Sequence, residues 1–213
     1  PARGAVGWRD GGHPLLQQPL DTPPPTSGLL HVGRRPPGGP GGPGRRVWRL
    51  PPDVDTDALA PGAWMKYSVE VIAQHCLEAM LPSFALEVRP GDVIVAGANF
   101  GIGSSREQAA AALVHLGVAA VIAPSYGGLF FRNAFNVGLL LMTCRDADAV
   151  TDGERIEFDV ERGELRCVVD AAGRRLGSDA TVLTCDPIPG FLLEMVRAGG
   201  LLPQLRQRHA KPR

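Results

Sequence analysis

A loop of glycines, serines and an arginine at residues 99–108 holds the side chains best suited to chemistry. Its sequence, Asn-Phe-Gly-Ile-Gly-Ser-Ser-Arg-Glu-Gln, lies between an apolar run and an alanine-rich segment. The two glycines permit a tight turn and a close approach of a ligand to the backbone. Ser104 and Ser105 offer hydroxyl groups, and Arg106 offers a planar fork that can grip a carboxylate through two hydrogen bonds. A helix starting here would favour an anion or an alkoxide at its positive end.

Two other interpretations of this loop stay open from the residues alone. Ser104 followed three residues later by Glu107 forms a capping box, in which the serine only satisfies the first turn of a helix. Gly101 and Gly103 after a strand also match the start of a dinucleotide-binding loop, but Arg106 stands where that fingerprint needs a third glycine. Spacing alone does not separate a reactive serine from a helix cap.

The segments that must position this loop alternate between strands and helices. Continuous apolar runs that are too short for buried helices favour buried strands. Apolar residues at spacings of three and four favour amphipathic helices. The predicted strands are 47–50, 93–97, 118–123 and 139–143, and the predicted helices are 67–80 with Ser68 as N-cap, 104–116, 128–137 and 191–198.

This alternation implies parallel strands joined by right-handed crossovers. Residues 155–170 differ, because apolar and charged residues alternate on both sides of a turn and so predict a β-hairpin. A further strand is expected at 181–184. We therefore expect one α/β domain with a mixed sheet over residues 45–205, followed by a polar C-terminal tail at 206–213.

The N-terminal segment, residues 1–44, has a different composition. It holds 10 of the 20 prolines and 11 of the 27 glycines, without the strict period of collagen. Because it lacks an apolar pattern that could offset the entropy cost of ordering, it is expected to be a disordered tail.

The composition of the whole chain excludes several classes of protein. A hydrophobic fraction of 44% with 21% charged residues is typical of a globular protein. The 22 basic and 22 acidic residues cancel, which gives no support for nucleic acid or an anionic membrane as a partner. The apolar runs are far shorter than the roughly 20 residues that cross a bilayer. Without the apolar run of a secretory signal, the chain is expected in the cytoplasm.

Four cysteines are scattered along the chain without a C-x-x-C pair: Cys76, Cys144, Cys167 and Cys185. This spacing fits neither a disulfide framework nor a self-contained zinc or iron–sulfur site. We interpret these cysteines as small, buried apolar side chains.

The loop at residues 99–108 resembles the signature of the swivelling domain of the aconitase superfamily. In enzymes of this superfamily that consist of two chains, this domain is a separate small subunit. Five more segments are similar to that family's landmarks, in the same order: residues 53–57, 64–67, 74–78, 130–136 and 196–201. The resemblance covers nearly all of residues 45–205. It implies a three-layer β/β/α fold of the aconitase C-terminal type. It also implies a hydro-lyase of the isopropylmalate dehydratase type, which interconverts 2- and 3-isopropylmalate by removing and re-adding water.

The resemblance also implies roles for individual residues. Ser104 would be the base that removes the proton next to a substrate carboxylate, while Ser105 and Arg106 would hold a carboxylate. Asp57 would line the cleft, and its structural alternative is a turn or N-cap aspartate. The variable group of a small 2-hydroxy diacid would meet one loop, formed by Trp64, Met65, Lys66 and Tyr67.

The implied partner is a large subunit that carries a [4Fe-4S] cluster, whose iron takes the substrate hydroxyl as a Lewis acid. This chain itself would bind no cofactor.

Three positions depart from the family pattern. No arginine lies between residues 64 and 68, where relatives that act on tricarboxylates bind the third carboxylate, and this argues against citrate. Gln108 stands where many relatives carry histidine, and Gly128 where arginine is more usual. Homoaconitate, citramalate or dimethylmalate chemistry stays open as an alternative, as does a non-catalytic binding module with the same fold.

We predict that residues 1–44 can be removed without loss of folding, because they hold almost no periodic apolar pattern. Thermal unfolding of the full chain and of a chain beginning at Arg45 should give nearly the same midpoint. A drop of many degrees in the shorter chain would show that the segment packs on the domain.

Overall fold

A seven-stranded mixed sheet is the framework of the computed structural model, which describes residues 43–210. The strands are β1 (Arg45–Leu50), β2 (Val93–Ala96), β3 (Ala120–Ala123), β4 (Leu140–Thr143), β5 (Arg155–Asp159), β6 (Glu164–Val169) and β7 (Val182–Thr184). Their order is β4-β3-β2-β1-β5-β6-β7. The strands β1 to β4 pair in parallel, whereas β5, β6 and β7 continue the sheet from β1 in antiparallel fashion. The predicted α/β fold with a mixed sheet is confirmed.

The two halves of the sheet follow from two hydrophobic patterns. Every residue of β2 and β3 is buried, as expected for parallel strands that are covered on both faces. In β6, buried Leu165, Cys167 and Val169 alternate with more accessible neighbours, so that one face of the strand meets the core. The predicted hairpin is the antiparallel pair of β5 and β6.

Seven α-helices and three short 3-10 helices accompany the sheet in the described part of the chain. They are α1 (Thr56–Leu59), α2 (Val69–Gln74), α3 (Phe84–Glu87), α4 (Glu107–His115), α5 (Gly128–Asn136), α6 (Gly190–Ala198) and α7 (Leu201–Ala210). Helix α4 lies between α2 and α5, and α5 contacts α6 and α7. None of these seven helices combines the length and apolarity that a membrane span requires.

The two ends of the predicted domain differ in how the structure covers them. The predicted tail at 1–44 lies outside the described residues except for residues 43 and 44. At the other end α7 continues to Ala210, past the predicted domain limit at residue 205. Residues 211–213, the end of the predicted polar tail, also lie outside the described range.

The helix predicted over residues 67–80 is much shorter in the structure. Helix α2 ends at Gln74, because Leu77 adopts a left-handed backbone conformation with φ of 61°. Leu77 is fully buried, and its amide donates to the carbonyl oxygen of Ala58 at 2.8 Å. A contact with a residue 19 positions earlier therefore outweighs the local helical periodicity.

The sheet curls until its two edge strands meet. The amide of Asp186, after β7, donates to the carbonyl oxygen of Thr143 in β4 at 2.7 Å. Next to this bond, the Sγ atom of Cys144 lies 3.7 Å from the carbonyl oxygen of Thr184. The antiparallel half thus folds back toward the parallel half and forms a second β layer.

The loop that follows β2 is fixed against α5 by two neighbouring residues. Phe100 is fully buried and meets the ring of Phe130 edge-on, with ring centroids 5.3 Å apart. Gly101 has φ of 75°, and a Cβ atom built on it would lie 2.2 Å from Cγ of Phe130. This position therefore requires glycine for both its backbone conformation and its packing.

We predict that Gly101→Ala destabilises the chain more than Gly153→Ala. Both glycines have nearly the same positive φ, 75° and 79°, but only Gly101 has atoms in the space of the new methyl group. The control substitution should cost about 1–2 kcal/mol from backbone strain alone. Overpacking should add roughly 1–3 kcal/mol or more at Gly101. Urea denaturation of both variants measures the difference, and equal losses would contradict the packing argument.

Candidate active site

Three loops meet at the carboxyl ends of β1, β2 and β3, which are neighbours in the parallel half of the sheet. The amide of Gly101 donates to the carbonyl oxygen of Val54 at 2.7 Å, and the amide of Thr56 donates to that of Ile102 at 2.9 Å. On the other side, the amide of Phe100 donates to the carbonyl oxygen of Ser125 at 3.1 Å. Ligands of open α/β sheets commonly bind beyond this edge of the strands.

A polar cluster joins the same three loops through side chains. The Nδ2 atom of Asn99 donates to Oδ1 of Asp53 at 2.8 Å, and the amide of Asn99 donates to Oγ of Ser125 at 2.9 Å. Both Asp53 and Asn99 adopt left-handed conformations, with φ of 60° and 62°. Asn and Asp tolerate this conformation better than other non-glycine residues. The bond between Asn99 and Ser125 has no signal in the sequence, because the two residues are 26 positions apart.

The two serines of the loop lie on the surface, before helix α4. Ser104 and Ser105 are both exposed. The carbonyl oxygen of Ser104 accepts from Oγ1 of Thr56 at 3.1 Å and from the amide of Arg106 at 2.8 Å. Helix α4 begins at Glu107, and its N-cap position is Arg106, with no capping bond from a side chain.

The predicted helix start at Ser104 is therefore wrong, and so is the capping-box alternative with Glu107. The bond from Thr56 to the carbonyl group of Ser104 belongs to a loop-to-loop contact across 48 positions, and it holds this residue outside the helix. Ser104 presents its hydroxyl group from a loop, three residues before the first helical residue.

Arg106 and Asp57 form an ion pair beside the serines. The Nη1 atom of Arg106 donates to Oδ1 of Asp57 and also to the carbonyl oxygen of Ala60 at 3.0 Å. Both bonds start from Nη1, so a single nitrogen atom connects the guanidinium group of Arg106 to helix α1 and to its C-cap residue, Ala60. Asp57, which was expected to line the cleft, and Arg106, which was expected to hold a carboxylate, are in direct contact in the structure.

The same ion pair shifts the titration of Asp57. The hydrogen bond from Arg106 holds the pKa of this carboxyl below its ordinary value, and the amide of Gly62, 3.1 Å from Oδ1, lowers it further. The small degree of burial opposes this shift. Because the folded state favours the carboxylate, the pair contributes at neutral pH and is lost as the pH falls through the lowered pKa.

Gly62, two residues before the loop expected to meet the variable group, lies next to this pair. A Cβ atom on Gly62 would lie 3.9 Å from Nη2 of Arg106. Trp64 and Met65 are half-buried, whereas Lys66 and Tyr67 are exposed. The structure thus places a residue just before this loop close to the guanidinium group that was expected to hold a carboxylate.

The four cysteines do not form a metal site. All four are buried and free, and residues 43–210 contain no group of three or more His, Cys, Asp or Glu side chains that suits a metal ion. Burial also raises the pKa of Cys76 and raises that of Cys167 to about 12, which disfavours the thiolate form of these two residues. The described residues therefore do not fit a [4Fe-4S] cluster held by this chain alone.

Comparison with known proteins identifies relatives of the whole described domain. Residues 73–147 match the aconitase C-terminal domain family. The chain is 40% identical to 3-isopropylmalate dehydratase small subunit 1 of Archaeoglobus fulgidus, over 76% of this chain and 98% of the relative. It is 42% identical to the methanogen homoaconitase small subunit of Methanothermobacter thermautotrophicus, over 74% and 86% of the two chains.

A solved structure is similar to this chain in both fold and sequence. The crystal structure of 3-isopropylmalate dehydratase from Methanocaldococcus jannaschii is 37% identical to this chain and superimposes with a TM-score of 0.69. The match covers 78% of this chain and 93% of that one. The chain therefore belongs to the aconitase C-terminal domain family, in its form as a separate small subunit of the 3-isopropylmalate dehydratase type.

Proposed function

We propose that this chain is the small subunit of a hydro-lyase that interconverts 2- and 3-isopropylmalate, a step of leucine biosynthesis, in the cytoplasm. In the forward direction a proton leaves the carbon next to one carboxylate and the hydroxyl group leaves the adjacent carbon. Water then adds back to the double bond with the opposite orientation. The observation that carries the proposal is the exposed pair Ser104–Ser105 beside the ion pair of Arg106 and Asp57.

Ser104 is the proposed base. Its carbonyl oxygen accepts from Oγ1 of Thr56 and from the amide of Arg106, so the backbone is fixed while the residue stays exposed. A serine is a weak base in water, and a cation beside it favours its alkoxide. We assign this role to Arg106, two positions along the chain.

Arg106 is the proposed carboxylate site, together with Ser105. Both bonds that Arg106 makes to Asp57 and Ala60 start from Nη1. Among the described residues, Nε and Nη2 have no hydrogen-bond partner, and these two nitrogens form one flat edge of the guanidinium group. That edge suits a bidentate carboxylate. Asp57 then acts by orienting the guanidinium group rather than by touching the substrate.

The loop of Trp64, Met65, Lys66 and Tyr67 is the proposed site for the variable group of the substrate. The half-buried Trp64 and Met65 suit an isopropyl group, while exposed Lys66 keeps a polar group possible. The relatives named homoaconitase and isopropylmalate/citramalate isomerase small subunits support related hydroxy acids as alternative substrates.

The names of the relatives indicate a large-subunit partner. We propose that this partner carries the [4Fe-4S] cluster, which supplies the Lewis acid for the departing hydroxyl group, and that the small subunit is active only in the complex. A non-catalytic binding module remains the alternative function, because the exposed loop could bind a diacid without reaction.

We predict that the isolated chain assembles no iron–sulfur cluster, since its four cysteines are buried and apart from any group of metal ligands in residues 43–210. After treatment with iron and sulfide, the visible spectrum of the isolated chain should lack cluster absorbance. The same treatment of the two-subunit complex should produce it. A stoichiometric cluster in the isolated chain would contradict the two-subunit proposal.

We predict that Ser104→Ala leaves stability almost unchanged but removes turnover. The hydroxyl group is exposed and caps no helix, so the loss of stability should stay within about 0.5 kcal/mol. Loss of a base should lower kcat by about 100-fold or more, with little change in KM. Steady-state kinetics of the reconstituted complex with isopropylmalate measure both parameters.

Two further variants make this kinetic test specific. Ser178→Ala, at an exposed serine in the short 3-10 helix Gly177–Asp179, is the matched control and should behave as wild type. Arg106→Lys should raise KM, because an ammonium group cannot grip a carboxylate with two parallel bonds. Near-wild-type kcat in Ser104→Ala would favour the binding module. Activity on another diacid alone would keep the mechanism and replace the substrate.

A further inference from the structure

The indole ring of Trp64 is stacked on the imidazole ring of His75. Their centroids are 3.6 Å apart and their planes differ by 8°. Glu78 connects both rings, since its Oε2 accepts from Nδ1 of His75 at 2.5 Å and its Oε1 accepts from Nε1 of Trp64 at 3.3 Å. We call these three side chains the Trp64 clamp.

The clamp ties a surface loop to a firmly anchored turn. His75 and Glu78 flank Leu77, which is fully buried and bonded through its amide to Ala58. Hydrogen bonds from His75 and Trp64 also lower the pKa of Glu78, that from His75 contributing more, while partial burial opposes the shift. The acceptor is therefore ionised at neutral pH and holds both rings by charge-assisted bonds.

Trp64 belongs to a loop that is also held at its beginning. The amide of Gly62 donates to Oδ1 of Asp57, the carboxylate that holds Arg106. The loop is thus fixed at residue 62 by the proposed carboxylate site and at residue 64 by the clamp. Movement of the indole ring would change the shape of the loop next to Arg106.

The clamp also contacts Tyr67, which in turn contacts Lys66. The ring of Tyr67 lies 5.7 Å from that of Trp64, and Nζ of Lys66 lies 5.2 Å from the centroid of Tyr67. The ammonium group is therefore held over an aromatic face, where a cation is attracted to the ring. If the indole ring turned away, Tyr67 would lose its neighbour and Lys66 would be released to reach an anionic group.

We propose that His75 and Glu78 are positioning residues that fix Trp64 as an apolar wall for the variable group of the substrate. This inference rests on the proposed function. The clamp favours a hydroxy diacid with an alkyl group over a hydroxy acid that bears three carboxylates. Neither His75 nor Glu78 touches the substrate, and both act through the indole ring.

The first part of the test asks whether the clamp holds the loop, and it needs no activity. The fluorescence of Trp64 is obtained in the full chain as the difference between each protein and the same protein with Trp64→Phe. His75→Ala and Glu78→Gln should each raise acrylamide quenching of this signal at least twofold. His75→Phe preserves a stacking partner and should restore most of the protection. Unchanged quenching in His75→Ala would overturn the clamp.

Matched controls separate the clamp from general effects of substitution. His115→Ala, in the last turn of α4, and Glu87→Gln, at an exposed end of α3, remove the same functional groups elsewhere and should leave the fluorescence unchanged. Glu78→Gln keeps the size of the side chain and guards against loss of folding. Circular dichroism of each variant verifies the fold.

The second part measures selectivity in the reconstituted complex. The ratio of kcat/KM for isopropylmalate to kcat/KM for homoaconitate, which bears a third carboxylate, should fall at least tenfold in His75→Ala, mainly through KM. The ratio should stay near wild type in His75→Phe and in both controls. An unchanged ratio in a complex that is active on isopropylmalate would overturn the role in selectivity.

The two parts distinguish failure of the clamp from failure of the proposed function. If the wild-type complex converts neither isopropylmalate nor homoaconitate, the proposed function fails, and the selectivity role fails with it. The fluorescence measurement then still decides whether His75 and Glu78 hold Trp64.

Discussion

Two peptide hydrogen bonds between the loops after β1 and β2 hold the candidate site together. They join Gly101 to Val54 and Thr56 to Ile102, at 2.7 and 2.9 Å. These bonds pair backbone groups of the two loops, and the buried side chains of Val54 and Phe100 anchor them to the core, while Ser104 and Ser105 stay exposed. The exposed serines, the Arg106–Asp57 pair and the loop at residues 62–67 all extend from this pairing, so their relative positions depend on it.

The ion pair of Arg106 and Asp57 affects the geometry of the candidate site more than the stability of the fold. Asp57 is 61% exposed, and exposed ion pairs usually contribute little to the free energy of folding. Its geometric effect is larger, because one carboxylate oxygen holds both Nη1 of Arg106 and the amide of Gly62. A single side chain thereby sets the distance between the proposed carboxylate site and the loop that would select the variable group.

Local patterns in the sequence predicted the elements whose stability is local. The apolar runs of β2 and β3, the hairpin of β5 and β6, and helix α5 appear close to their predicted positions. The glycine-serine-arginine loop also lies between a buried strand and a helix, as predicted. Long-range contacts explain the rest. Thr56 holds Ser104 outside α4, and Ala58 ends α2 by binding Leu77, and neither contact leaves a signal in the spacing of the chain. The stacking of Trp64 on His75 was missed for the same reason.

The contact between β4 and β7 affects how a separate subunit behaves before it meets a partner. Edge strands expose unpaired backbone groups that can recruit a strand of another molecule. Here both edge strands are short, with four and three residues, and their carboxyl ends meet through the bond from Asp186 to Thr143. A curled sheet of this kind offers little template for strand addition, so we expect the free chain to resist edge-to-edge aggregation.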